Sequence, residues 1–330
     1  MAGLNGESAL DPQRPIIDPH LHLWDLGAAP GTYAVPTPFL EAEAQAMLAA
    51  SGYKITHTVY VECGQGYRAE GPEPLRCVGE TETQVAVAAR HGGGTRLNHR
   101  IVGTADLLLG DAVRPVLEAH LAAGGERFRG VRQETAWSEA GLFGYPCRPE
   151  LRHRLRDPRF IAGARVLAEM DLSLDVWCLH GQLGELAALA DAVPDLTVVL
   201  DHIGTPEGGA DSRTEWRAAI AELAQRPNLW LKLGGMGMDI TAHFHPPALG
   251  LSSTELADRW RPWIEQGIVA FGAERCMFES NFPPDAMSGD YGAAWNAFKR
   301  VAAGASDDDK DRLFRRTAAA VYRIPLDGAA

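Results

Sequence analysis

Eight times along this chain of 330 residues, a short apolar run gives way to polar or Gly-rich punctuation and then to a helical stretch. The runs are PIIDPHLHLW, HTVYVEC, RIVGTADL, RFRGVRQ, LSLDVWC, LTVVLDHI, LWLKLGG and CMFESNF. Each is rich in Val, Ile, Leu or aromatics, the composition of a strand. Among the helical stretches, PFLEAEAQAMLAASG ends on Gly52 as a C-cap and LGELAALADAVPD stops at Pro194. SDDDKDRLFRRTAAAVYRI opens on Ser306 and three acids, which suit a helix N-terminus. Crossovers between parallel strands are right-handed and each helix covers one face, so eight units in a row predict an α/β fold, a closed (β/α)8 TIM barrel. A doubly wound sheet would want a Gly-rich phosphate loop after its first strand. DPHLHLWD stands there instead. Residues 1–15 read as a flexible arm and 16–330 as one barrel domain. Three inserts, 64–77, 134–157 and 236–253, each follow a strand's C-terminal end, where a barrel keeps its active-site rim.

Composition narrows the partners. The net charge of −12 with 31 scattered Lys and Arg argues against nucleic acid and leaves a small molecule as the expected partner. No stretch approaches transmembrane length, and the first fifteen residues have no apolar signal-peptide core. Five widely spaced cysteines without a CxxC fit a reducing compartment, so the cytoplasm is expected. A homo-oligomer is compatible with all of this.

Strand side chains alternate between faces, so Asp18, His20 and His22 share one. Two histidines so placed reach a single metal ion; the plainer reading is a hydrogen-bonded polar pair. His180 follows DVWCL on the fifth run and His202 ends TVVLDH on the sixth. Either alone reads as a satisfied polar residue, whereas four histidines converging from three strand ends read as a reaction centre. Glu62 closes the second run near the rim. Arg132 closes the fourth, and its planar fork suits a substrate carboxylate; a rim salt bridge is the plainer alternative. Tyr67, Arg68, Trp137 and Trp177 stand where they would line a pocket, though such aromatics more often pack. A carboxylate inside a barrel either functions or meets a cation. Glu279 is therefore expected to pair with Lys232 on the neighbouring seventh strand. A Cys178–His180 nucleophile pair is conceivable, but free cysteines are usually inert small hydrophobes.

Taken together, IIDPHLHLWD, VYVECGQGYR, FRGVRQETAW, VVLDHIGTP, LWLKLGGMGM, RCMFESNFPPD and YGAAWNAFKR resemble the amidohydrolase superfamily over nearly the whole chain. The narrower likeness is to the amidohydrolase-related group, which includes 2-pyrone-4,6-dicarboxylate lactonase, L-fuconolactonase-like enzymes and some aromatic decarboxylases. The resemblance implies a barrel of the metal-dependent-hydrolase type. It implies one divalent ion, usually zinc, on His20, His22 and His180, with His202 polarising substrate or water. It also implies an eighth-strand aspartate as ligand and base, which the lactonase members keep even where they work without metal. Those members hold acidic substrates with arginines.

The chain departs from the group at that aspartate. Where the group reads roughly GSDWP, this sequence reads ESNFP, with Asn281 in place of the acid. An amide accepts a hydrogen bond and ligates weakly, but it is no general base near neutral pH. Asn281 is therefore expected to orient a water, a substrate oxygen or His20. The proton would pass to Glu62 or His202, and metal binding would be weakened or lost, leaving a metal-free site. The implied function is hydrolysis of a C–O bond in a small carboxylated lactone or ester. A lyase of the same group, a decarboxylase or hydratase, is the second expectation. A binding protein on a decayed barrel is the third, disfavoured by the survival of four histidines, Arg132 and the strand-end glycines.

Overall fold

The computed structural model describes residues 7–27, 37–91, 94–143, 145–207, 212–241 and 250–326. Residues 1–6 of the arm and 242–249 of the third insert lie outside them. Strands β1 (Ile16–Leu21), β2 (Ile55–Val61), β3 (Arg96–Gly103) and β4 (Phe128–Arg132) make the first half of the sheet. Strands β5 (Ser173–Val176), β6 (Val198–Leu200), β7 (Leu229–Lys232) and β8 (Cys276–Met277) make the second. All pair in parallel, in chain order. The ring is drawn together just past β8. There Leu21 bridges Phe282, His22 N donates to Phe282 O at 2.8 Å, and Asn281 N donates to His20 O at 3.1 Å. β8 is two residues long where CMFESNF suggested more, because Glu279 to Phe282 turn from the β7 ladder to bind β1.

Helices α1 (Glu41–Ala50), α2 (Val78–Ala89), α3 (Arg114–Gly124) and α4 (Pro158–Glu169) clothe the first half. Helices α5 (Leu183–Ala192), α6 (Ser212–Leu223), α7 (Ser253–Phe271) and α8 (Tyr291–Val301) clothe the second. Their starts follow local chemistry. Asp157 accepts from Arg159 N ahead of Pro158 in α4, a cap worth about 1 kcal/mol. Ser252 and Glu255 form a capping box on α7. Ser306 caps the last helical segment as its three acids predicted. No helix among the described residues is long and apolar enough to cross a membrane.

Three ties hold the segment ahead of β1. Leu10 N donates to Asn296 Oδ1 at 2.8 Å, Lys54 N donates to Pro12 O, and Arg14 pairs with Asp307. Behind the end of β2 and the loop after it, Glu80 Oε1 of α2 accepts from Tyr60 hydroxyl, Cys63 N and Gln65 N at 2.7–3.1 Å. That buried carboxylate fixes the direction in which Glu62 leaves the sheet.

Candidate active site

His20 and His22 project together from β1, both buried. His22 Nδ1 donates to Val61 O at 2.8 Å, and His20 Nδ1 lies 2.7 Å from Glu279 Oε2 without the alignment of a hydrogen bond. His22 thus has its proton on Nδ1, and the Nε2 atoms of the two rings meet 3.1 Å apart. Burial holds both imidazoles well below the usual histidine pKa, so both are neutral. His202 joins them: its ring centroid lies 4.6 Å from that of His20. Its Nδ1 and its backbone N both donate to Glu279 Oε1, at 2.8 and 3.0 Å.

Glu279 therefore bridges two imidazoles, which corrects the pairing expected from the sequence. Lys232 does not bind it. The ammonium lies 2.7 Å from Asp175 Oδ2 and 3.0 Å from Asp201 Oδ1, and 3.2 Å from His20 Nδ1. Lys232 and Glu279 thus meet only through His20. The reason is that β5 and β6 each send an inward acid, and these are nearer. Burial opposes the charge on Lys232, but Asp175 and Asp201 hold its pKa well above the ordinary value. Burial would likewise raise Glu279, yet His202 and His20 hold it far below the usual carboxylate range. Neither Asp175 nor Asp201 was singled out in the sequence. The available signal was an aspartate inside the apolar runs SLDV and VVLD, each on an inward register.

Arg132 leaves β4 towards the same centre. Its Nε donates to Glu62 Oε1 at 2.9 Å and its Nη2 to Glu62 O at 2.5 Å. Its Nη1 is 3.3 Å from His20 Nε2 and 3.8 Å from Asp201 Oδ2. The expected substrate anchor thus already has a carboxylate of its own. Burial pushes Glu62 up to about 7 against the pull of Arg132. Beside this pair opens a cavity of about 440 Å³ lined by Glu62, Tyr67, Thr104, Arg132, Arg154 and Trp177, among others. Trp177 donates from Nε1 to Thr205 Oγ1, and its ring lies 6.5 Å from that of His202. Trp137 faces a second cavity of about 530 Å³, which Trp177 also lines. Arg68 turns away to an ion pair with Glu82, so it is corrected out of the pocket. Arg154, in the second insert, had not been recognised.

His180 is also corrected. β5 ends at Val176, and His180 stands beyond it on a short 3-10 turn. It is half-buried, its N donates to Thr205 O, and its Nδ1 accepts from Glu207 N at 3.1 Å. Among the described residues no hydrogen bond, ion pair or ring contact joins it to His20, His22 or His202. Cys178 is fully buried and burial pushes its thiol pKa up, which leaves no nucleophile there. Asn281 sits at φ 50°, with its Nδ2 donating to Asp285 Oδ1 at 2.7 Å. Its side chain therefore serves Asp285 and not His20, one of the three partners expected; its backbone N reaches His20 O. Burial pushes Asp285 up to about 7.

The donor set suits a divalent cation. His20 and His22 bring their Nε2 atoms to within 3.1 Å of one another, and His22 is braced through Nδ1 by an acceptor, the usual support of a metal-binding histidine. Both Asp201 oxygens are buried without an aligned hydrogen bond. His20, Asp201 and His202 offer ligand atoms within 4.8 Å of one another. The residues that would hold an ion are thus His20, Asp201 and His202, with His22 beside His20; His180 is not in that group.

A family model described as amidohydrolase matches residues 17–324. The chain belongs to the amidohydrolase family. This amidohydrolase is 32% identical over 323 residues to an uncharacterised protein of Sinorhizobium fredii, covering 94% of this chain and 98% of that one. It is 27% identical over 320 residues to an L-fucono-1,5-lactonase of Burkholderia ambifaria, covering 93% and 95%. Its fold matches a zinc-bound amidohydrolase of Burkholderia multivorans at a TM-score of 0.72 and 23% identity, over 94% and 99%.

Proposed function

We propose that this amidohydrolase is a lactonase, opening the ring C–O bond of a small lactone by attack of water at its carbonyl. The observation that carries the reading is the Glu279 carboxylate lying between the Nδ1 atoms of His20 and His202. It returns to the centre the acid that position 281 lacks. With Nδ1–H committed to Glu279, His202 presents Nε2 as a base. Its backing by a carboxylate stabilises the imidazolium that forms when it takes a proton. The named relative with lactonase activity supports the substrate class.

In the step proposed, a water oxygen bonds to the lactone carbonyl carbon and its proton goes to His202 Nε2. The ring C–O bond then breaks, and the same proton goes to the departing ring oxygen, giving a hydroxy acid. Arg132, fixed by Glu62, directs Nη1 into the centre, where it meets the negative charge that develops on the carbonyl oxygen. Were a divalent ion held by His20, Asp201 and His202, it would supply Lewis acidity there and a more acidic water, and His202 Nε2 would be a ligand instead of the base.

The test is acid release from a lactone panel, followed by indicator, with wild type and Glu279→Gln. Wild type should open at least one member well above the buffer rate. Glu279→Gln keeps the shape but loses the charge behind His202. Its kcat should fall by about 10²-fold or more, the scale of a lost acid–base group, with KM little changed. Acid release no faster than in buffer across the panel, or an undiminished kcat in Glu279→Gln, overturns the reading.

A further inference from the structure

We propose that the cavity walled by Trp137, Phe143, Tyr145 and Trp177 takes an aromatic arm of the substrate, so that the lactone carries an aryl group set apart from its reacting carbonyl. The inference rests on the lactonase reading and names the class of molecule which that reading leaves open.

This cavity of about 530 Å³ exceeds the roughly 150 Å³ that suffices to hold a benzene molecule. Its walls are held in place from behind. Thr135 Oγ1 donates to Trp177 O at 2.7 Å, and Trp177 Nε1 donates to Thr205 Oγ1 at 3.1 Å, which fix that residue through both its backbone and its indole. Trp137 N donates to Gln182 Oε1 at 2.9 Å, and the Arg152 guanidinium lies 5.0 Å over the Trp137 ring. In the second insert, Leu142 and Tyr145 pair through an antiparallel bridge. Phe143 stacks on Trp177 with ring centroids 5.8 Å apart.

Two observations say what fills it. The first is continuity with the candidate centre. Trp177 and Glu134 line both this cavity and the one beside Glu62 and Arg132, and the Trp177 ring has Phe143 as one neighbour and His202, at 6.5 Å, as another. A molecule with its carbonyl at the histidines that extends past the Trp177 indole enters this space. The second is the chemistry of the wall. Its two charged groups cancel, since Glu134 pairs with Arg148, which Glu150 also holds. What remains is chiefly four aromatic rings and aliphatic carbon. A hydroxyl-rich arm placed there gives up hydrogen bonds to water and regains few. An aryl arm gives up none and gains edge-to-face or offset contacts with the rings. Tyr145, 62% exposed, is the ring that such an arm would shield from water.

The test uses the full chain and a matched pair of lactones. One is γ-(2-phenylethyl)-γ-butyrolactone; the other is γ-valerolactone, which carries methyl in place of the phenylethyl arm. Their ring-opened acids, 4-hydroxy-6-phenylhexanoate and 4-hydroxypentanoate, are titrated by calorimetry, a readout independent of turnover. Wild type should bind the phenyl acid about ten- to a hundred-fold more tightly, the scale of burying one aromatic side chain, and KM should favour its lactone alike. Phe143→Ala and, separately, Tyr145→Ala should each shrink that preference about three- to ten-fold, the scale of one aromatic contact. Tyr145 is exposed, so its removal tests the wall even if Phe143→Ala fails to fold. Equal affinity of wild type for the two acids, or a preference that survives both substitutions, overturns the assignment. So does self-association that Tyr145→Ala abolishes without any arm preference, which would make the cavity a contact between copies. Arm-dependent binding of the acids without any ring opening would sink the lactonase reading and leave this one standing. Ring opening indifferent to the arm would do the reverse.

Discussion

Asn281 donates to Asp285, and that one hydrogen bond decides what an acid at position 281 would meet. Asp285 is buried, accepts from Gly237 N at 3.0 Å and has its pKa raised from 3.8 to about 7. A second carboxylate 2.7 Å away could not ionise alongside it. Asn281→Asp should therefore lower Tm at pH 8 and recover most of the loss near pH 5; equal Tm losses at both would show that the two side chains do not interact. The wild-type sign is the reverse of a salt-bridged acid. The folded state favours protonated Asp285, so its stabilisation is full below about pH 4 and is lost as pH rises through about 7. The slope is about 1.4 kcal/mol per pH unit within that window. Urea titrations from pH 4 to 8 should show Asp285→Asn gaining on wild type as pH rises; a constant difference would remove this account. The amide at 281 was legible in ESNFP. Its partner was not, because a contact across one turn depends on the φ of 50° at Asn281, which no motif encodes.

Among the elements, the segment after β7 is the one whose shape the centre most depends on. Gly234 and Gly235 leave no room for side chains: a Cβ at 234 would lie 2.4 Å from Glu279 Cγ, and one at 235 would lie 2.2 Å from His202 Cγ. Gly235 also sits at φ +66°, which favours glycine. Gly235→Ala should retain the far-UV circular dichroism of the barrel while kcat falls about ten-fold or more, as His202 is pushed off Glu279. Turnover equal to wild type would show that the His202 position is not what the reaction needs. Strand order and the rim position of the inserts were readable from alternation alone, because that pattern is local. The Lys232 partners were not. Asp175, Asp201 and Lys232 come from three successive strands, and which inward side chains meet depends on barrel stagger rather than on any period within one strand. His180 failed for a related reason: a strand that stops at Val176 hands the next residues to a turn, so counting along the run overshoots the rim.

At the scale of the whole molecule, ion binding at His20, Asp201 and His202 would couple to stability, since these residues come together only in the folded barrel. Zinc at about a hundred times its Kd should stabilise by about 2.7 kcal/mol, visible as a rise in Tm that a chelator reverses. No rise at millimolar zinc would show that Lys232 and Arg132, already beside Asp201, supply the positive charge instead. The same barrel is closed by its own two ends. Asp18 Oδ1 accepts from Ser280 N at 3.1 Å, and Tyr322 hydroxyl donates to Asp175 at 2.6 Å. During synthesis, a nascent chain that has emerged only to residue 275 already carries His20, Lys232 and His202. It lacks Glu279 to orient the imidazoles and Tyr322 to cover Asp175. Lys232 already has Asp175 and Asp201 there, but the missing pieces come only with β8 and the segments after it. The candidate centre is thus complete only once β8 and the helices that follow it have emerged.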